Sequence, residues 1–262
     1  SQRFGAIKRL YGDAAYAELR HMKICVVGIG GVGSWAAEAV ARSGVGHITL
    51  IDFDEVALSN VNRQLPALTD TVGEKKIAVM AERIRQINPR CHCTPVDDFV
   101  RGDNLMDHLP PDCGFDYVID AIDSISHKAA LIYHCRRNRL PIITTGGAGG
   151  LTDPTMIHIK DLSRTYNDAL AAKVRAKLRD EYGFTRNTKR SFGIECVFSS
   201  QQPVYPKEDG TVSHEKPGIH GVNLDCRFGY GSISFVTANF GFVAASRAIN
   251  KALKKRLAKK DD

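Results

Sequence analysis

Gly28-Ile29-Gly30-Gly31-Val32-Gly33 follows an apolar stretch and precedes a segment of helical character. That order suits phosphate binding: glycines let backbone amides approach phosphate oxygens, and the free N–H groups at a helix start favour negative charge. Asp52 lies 19 residues beyond Gly33, where an acidic side chain receives ribose hydroxyls. Gly28, Gly30, Gly31, Gly33 and Asp52 are therefore candidate nucleotide ligands, in a pattern common to NAD and ATP sites.

The residues that follow favour ATP. NAD offers a pyrophosphate that backbone amides can hold, whereas ATP brings about four negative charges, and its cleavage between the α and β phosphates leaves charge that needs cations. Asn60 and Arg63, in Asn60-Val61-Asn62-Arg63-Gln64, and Lys76, shortly after Val72-Gly73, supply such groups. Taken singly, Arg63 and Lys76 fit a solvated surface equally well. Asp120 and Asp123 close the stretch YVIDAID, at the strand ends where open α/β sheets bind ligands. A carboxylate there can hold Mg2+ against phosphates, although Asp120 also suits a turn and Asp123 a helix cap.

The elements that must hold these residues alternate. Lys23 to Gly28, His47 to Asp52, Cys91 to Val96, Tyr117 to Ala121 and Pro141 to Thr145 read as strands. Ser34 to Arg42, Glu74 to Ile87 and Ser126 to Asn138 read as helices, the second with Ile77, Met80, Ala81, Ile84 and Ile87 at helical spacing and Asn88-Pro89 as its stop. This alternation predicts an α/β fold with a Rossmann-like, doubly wound, mostly parallel sheet. After Gly146-Gly147-Ala148-Gly149-Gly150, Met156 to Lys160 reads as a strand and Asn167 to Tyr182 as a basic helix with Leu170, Val174 and Leu178 on one face. Residues 184–227 read as a long loop region, and Phe240 to Leu257 as a final helix. No linker interrupts the chain. The expectation is one domain over residues 1–262, with a nucleotide-binding core in 1–150 and a helical, loop-rich, basic elaboration in 151–262.

Composition excludes disordered and fibrous classes, since 43% of residues are hydrophobic and 25% charged over 262 residues. The net charge of +7 is segregated: residues 1–150 carry 17 basic and 17 acidic side chains, residues 151–262 carry 19 and 12. Such a field suits a polyanion such as nucleic acid, as it also suits solvated lysines. Lys173 with Lys177, and Arg175 with Arg179, share helix faces, and Lys254 and Lys255 sit in a C-terminal basic run with Arg256, Lys259 and Lys260. Seven scattered cysteines without a signal peptide point to a reducing cytoplasm. Cys91-His92-Cys93 in a strand sends its Cys and His side chains to opposite faces, so it does not form a metal site. Phe228 to Ser246 is uncharged for 19 residues, yet its three glycines and several polar residues suit a buried strand-to-helix segment better than a membrane span.

Together GIGGVGS, ITLIDFD, SNVNRQ, VGEKK, INP, DYVIDAIDS and PIITTGGAGG, in order over residues 24–150, resemble the ubiquitin-activating-enzyme-like adenylyltransferases, which include activators of sulfur-carrier proteins. The resemblance implies nucleotide binding by the glycines and Asp52, phosphate contacts from Asn60, Arg63 and Lys76, a metal-associated role for Asp123, and a homodimer. Two features depart from the sulfur-carrier activators. The chain lacks their paired C-x-x-C motifs, and Arg3-Phe4-Gly5-Ala6 stands where they carry R-Y-x-R, which leaves Arg9 as a candidate for their second, cross-subunit arginine.

Beyond the core, TTGGAGGLTDPT, GIECVFSSQQPVYPKEDGTV and LDCRFGYGSISFVTANFGFVA look like the tRNA threonylcarbamoyladenosine dehydratase branch. That resemblance implies an enzyme using ATP and Mg2+, with a monovalent cation left open, to cyclise threonylcarbamoyladenosine in tRNA through an acyl adenylate, with RNA and not DNA as partner. Cys226 matches a cysteine of the family's crossover segment and is a candidate for a thiol role; Cys196 is a weaker one. The alternatives are activation of a sulfur-carrier C-terminus beside a cysteine desulfurase, and an NAD-linked oxidoreductase.

Overall fold

A parallel strand between two helical layers is covered on both faces, so it reads as a continuous apolar run. Lys23–Val27 (β1), His47–Ile51 (β2), Tyr117–Asp120 (β4) and Ile142–Thr145 (β5) follow that rule, and each is buried along most of its length. The computed structural model describes residues 2–207, 209–215 and 230–261.

Helices Gly5–Tyr11 (α1) and Asp13–Leu19 (α2) precede β1, where residue patterning predicts no element. Gly33–Arg42 (α3) follows β1 and Lys76–Ile87 (α4) follows β2. Next come the edge strand His92–Val96 (β3), the short helix Leu105–His108 (α5), and Ile125–Arg137 (α6) between β4 and β5. Beyond residue 150 the chain forms Ile157–Asp161 (β6), Ala169–Glu181 (α7), Glu195–Ser199 (β7), the small hairpin Tyr205–Pro206 (β8) with Val212–Ser213 (β9), and Ser234–Asp261 (α8).

The main sheet has the order β3-β2-β1-β4-β5-β7-β6, and only the β6–β7 pair is antiparallel. The fold is thus the Rossmann-like α/β class, with strands from both sides of residue 150 in one sheet. Strand β7 corrects the reading of 184–227 as loop. ECVFS is short and covered on both faces, so it shows no periodicity among the prolines and glycines around it.

The uncharged run also needs correction. Tyr230 to Ile233 is irregular and Ser234 onward is helix, so the expected strand is not found among the described residues. The helical part is core: Val236, Phe240, Ala244, Ala245 and Ala248 pack against α3 and the sheet. Gly241 makes that approach possible, since a Cβ there would stand 2.5 Å from the Val32 carbonyl oxygen. No helix among the described residues is long and apolar enough to cross a membrane.

Candidate active site

The strand order reverses direction between β1 and β4, which opens a crevice at their carboxyl ends. Val27 pairs with both Ile51 and Asp120, so the loops after β1, β2 and β4 leave the sheet side by side. Gly28 adopts φ +87°, and a Cβ there would meet the Ala121 carbonyl oxygen at 2.9 Å. A Cβ on Gly33 would fall 1.7 Å from the Gly28 oxygen, so these two glycines permit the tight strand-to-helix turn. Gly30 and Gly31 face Gln64 and the Arg63 stem, at 3.8 and 3.5 Å from their Cβ positions.

Asp52 locks the turn. Its Oδ2 accepts from Ile29 N at 2.5 Å and its Oδ1 from Asp54 N at 2.8 Å. Burial raises its pKa, against these bonds and the nearby Lys76 charge. Two oxygens offer about four lone-pair positions, which leaves acceptors for ribose hydroxyls.

Lys76 opens α4 and is nearly buried, with Nζ 2.8 Å from Asp54 Oδ2. Asp54 is not among the residues that spacing singled out, although its place two residues after Asp52 is visible in IDFD. Arg63 donates from Nη1 to Ser59 O at 2.9 Å and Asn62 Oδ1 at 3.0 Å, while its own carbonyl accepts from Trp35 Nε1. No carboxylate among the described residues pairs with it. Asn60 is buried, and its Oδ1 accepts from Ala57 N at 3.0 Å, so it shapes the turn that carries Arg63. Gln64 is a further residue that spacing did not single out. Its Oε1 is the one buried side-chain polar atom without a partner among the described residues, and the side chain borders Gly30.

Asp120 and Asp123 part company. Asp120 is fully buried: Oδ2 accepts from Lys128 Nζ at 2.9 Å and Thr144 Oγ1 at 2.6 Å, and Oδ1 from Ile122 N at 3.0 Å. Its oxygens are thus engaged by the protein itself, in a scaffold beneath the crevice. Asp123 is exposed at the same edge, and the N-cap of α6 is Ser124 without a side-chain bond. One free carboxylate beside phosphates suits Mg2+, which takes one or two carboxylates and completes its shell with phosphate and water.

The basic candidates divide as well. Arg175 donates to Thr165 Oγ1 and Arg179 lies 5.3 Å from the Phe192 ring, so both half-buried side chains also brace the fold. Lys177 pairs with Glu181 at 2.5 Å. Lys173, Lys254 and Lys255 are exposed, whereas Arg256 is bound by Glu18 at 2.7 Å and Asp116 at 3.0 Å. Cys196 is sealed inside β7, where burial above all raises its thiol pKa, so it is core and unsuited to thiol chemistry. Cys226 lies outside the described residues. Burial also pushes Cys91 and Cys93 up to about 12 and about 11, while His92 stands exposed.

A glycine turn, an acidic residue just after β2, two cations and an exposed carboxylate gather at one switch point. A model of the ThiF family matches residues 5–261. The chain belongs to the ThiF family. Within it, the chain is 54% identical to tRNA threonylcarbamoyladenosine dehydratase of Escherichia coli K12, over 97% of this chain and 94% of that one. A crystal structure of the E. coli tRNA N6-threonylcarbamoyladenosine dehydratase in complex with ATP superposes with a TM-score of 0.87 at 51% identity, covering 98% of this chain and 96% of that chain. The ThiF-family likeness to the molybdopterin-synthase adenylyltransferase of Salmonella typhimurium is narrower, 33% identity over 48% of this chain and 49% of that one.

Proposed function

We propose that the protein cyclises threonylcarbamoyladenosine in tRNA, consuming ATP to activate the threonyl carboxylate. The observation that carries this is the 54% identity, along nearly the whole of both chains, with a tRNA threonylcarbamoyladenosine dehydratase. The crevice supports it with groups suited to each charge in the reaction.

A carboxylate cannot expel oxide, so one of its oxygens attacks the α-phosphorus of ATP and the bond to the β-phosphate breaks, releasing pyrophosphate. The neighbouring carbamoyl group then attacks the acyl carbon, loses a proton and expels AMP. That second step is intramolecular, and the effective concentration of its nucleophile lowers the barrier by several kcal/mol. No enzyme thiol is needed. The amides of residues 28–33 hold phosphate oxygens, Asp52 receives the ribose, and Arg63 and Lys76 stabilise charge on the phosphates as it develops. Asp123 would hold Mg2+, which would supply neutralising charge to the phosphates.

A second copy of the chain is part of this reading. Arg9 stands exposed on α1 beside Leu10, itself 74% exposed, as the candidate cross-subunit arginine.

The test combines purified protein, ATP and tRNA carrying threonylcarbamoyladenosine, following AMP and nucleoside mass together. One AMP per nucleoside, with loss of one water from the nucleoside, is the expected result. AMP release without that mass change, or no AMP, overturns the reading.

A further inference from the structure

Three guanidiniums open onto one cavity at the sheet edge opposite the nucleotide crevice. The cavity, of about 470 Å³, is lined by Arg136 and Arg137 at the end of α6, by Arg190, and by Tyr133, Tyr182 and Phe192 among others. All three arginines are exposed, and none pairs with a carboxylate among the described residues. Arg136 donates to the Phe192 carbonyl and Arg137 faces the Tyr133 hydroxyl at 3.4 Å. The acidic groups nearby are already engaged, Asp180 with Arg186 and Glu181 with Lys177, each at 2.5 Å. Like charges gathered without counter-ions repel one another, which an anion would relieve.

The walls are aromatic. Tyr133 and Tyr182 lie ring to ring at 4.8 Å with 35° between planes, and Phe184 meets Phe192 edge-on at 4.9 Å. Arg136 lies 5.2 Å from the Phe184 ring, so its stem and head are held in place. Arginine forks beside half-buried tyrosines are the chemistry that grips a phosphodiester and stacks a splayed base.

Helices α6 and α7 connect this cavity to the crevice. Asp123 and Ser124 precede α6 at the nucleotide edge, and Asp168 caps α7 there, accepting from Ala171 N and Gly147 N. Thirteen residues of α6 separate the two ends, about 20 Å of helix. A folded RNA covers that span; the phosphates of one ATP do not.

We propose that this cavity binds a backbone phosphate of the RNA substrate, with an adjoining base on the Tyr133–Tyr182 pair, as a second anchor remote from the adenylation site. The proposal rests on tRNA being the substrate.

Wild type, Arg137→Ala/Arg190→Ala and Arg137→Lys/Arg190→Lys are compared for tRNA affinity over a salt series, for KM and kcat in AMP formation, and for Tm. The alanine pair is expected to raise Kd and KM for tRNA about tenfold and to flatten the log K against log salt slope by about 1 for each phosphate it no longer neutralises. Its kcat and KM for ATP stay at wild-type values. The lysine pair keeps the slope but not the full affinity, because a point charge replaces a fork. Unchanged affinity and slope with a lowered Tm overturn the proposal, and leave the arginines as partners of the helix C-terminal dipoles. Saturable binding of AMP alone, abolished in the alanine pair, also overturns it in favour of a free-nucleotide site. If wild type binds tRNA but forms no AMP with it, the proposed function fails while the anchor is still decided by the binding arm.

Discussion

Lys128 Nζ lies 2.9 Å from Asp120 Oδ2, and both side chains are sealed from solvent at the carboxyl end of β4. The pair fixes the turn that delivers Asp123, because Asp120 also accepts from the Ile122 amide. Removing the cation alone strands a buried carboxylate. Lys128→Ala is expected to lose ~3–5 kcal/mol in urea unfolding. Asp120→Asn/Lys128→Met is expected to lose less than the two single changes summed, and strict additivity of the cycle would refute the coupling.

Arg63 and Lys76 approach the crevice from different elements, one from the turn after Asn60 and the other from the start of α4. Each is expected to act on charge that develops during the reaction. Arg63→Ala and Lys76→Ala should each slow AMP formation by roughly 10²–10³-fold with Tm little changed for Arg63→Ala. Wild-type rates in either variant would exclude that role. Lys76→Ala should also release Asp54, its 2.8 Å partner, and cost stability that Arg63→Ala does not.

Gln64 carries an unpartnered buried oxygen, and its Nε2 lies 3.8 Å from the Cβ position of Gly30. A nucleotide bound against the glycine turn is expected to give that acceptor its partner. Gln64→Leu keeps the volume and removes the orphan, so the free protein should be as stable as wild type or more so, while ATP affinity drops about tenfold. Calorimetric titration with ATP and a melting curve read the two effects separately, and equal affinity in the variant would assign the glutamine to packing.

Asp161 contributes to the acid limb of stability, beside Glu38 and Glu195, which their arginine partners also hold below the usual carboxylate range. Burial pulls its pKa upward, but hydrogen bonds from Ser163, Phe192 and Gly193 outweigh this and the net shift is downward. A carboxyl depressed in the folded state contributes stability that is fully present above its unfolded value, about 3.9, and is lost as pH falls through the folded value. Unfolding free energy should therefore decline below about pH 4, and Asp161→Asn should make that decline shallower. An unchanged slope would show that the bonds do not distinguish the ionised form.

Much of this molecule was legible in the chain because the signals are local. The strands β1, β2, β4 and β5 and the helices α3, α4 and α6 appear within two residues of the expected bounds, since burial on both faces or on one stripe writes itself into neighbouring residues. Helix α1 escaped because its residues are mostly exposed, and α2 because its buried face, Ala15, Glu18 and Leu19, mixes a carboxylate with apolar residues over only seven positions. Strand β7 escaped because ECVFS places a carboxylate and a hydroxyl around three apolar residues, so it lacks the continuous apolar run that marks β1.

By itself the sequence determined the glycine turn, the acidic residue after the second strand, the cations that follow and hence the nucleotide class, because these depend on residue type and spacing along one strand-turn-helix unit. Tertiary structure alone separated residues of equal type. Asp120 and Asp123 stand three apart, yet Lys128 and Thr144 claim the first and leave the second open. Arg256 and Lys255 are neighbours, yet Glu18 and Asp116 claim only the arginine. A charged group's role depends on what approaches it from distant segments, and no local spacing records that.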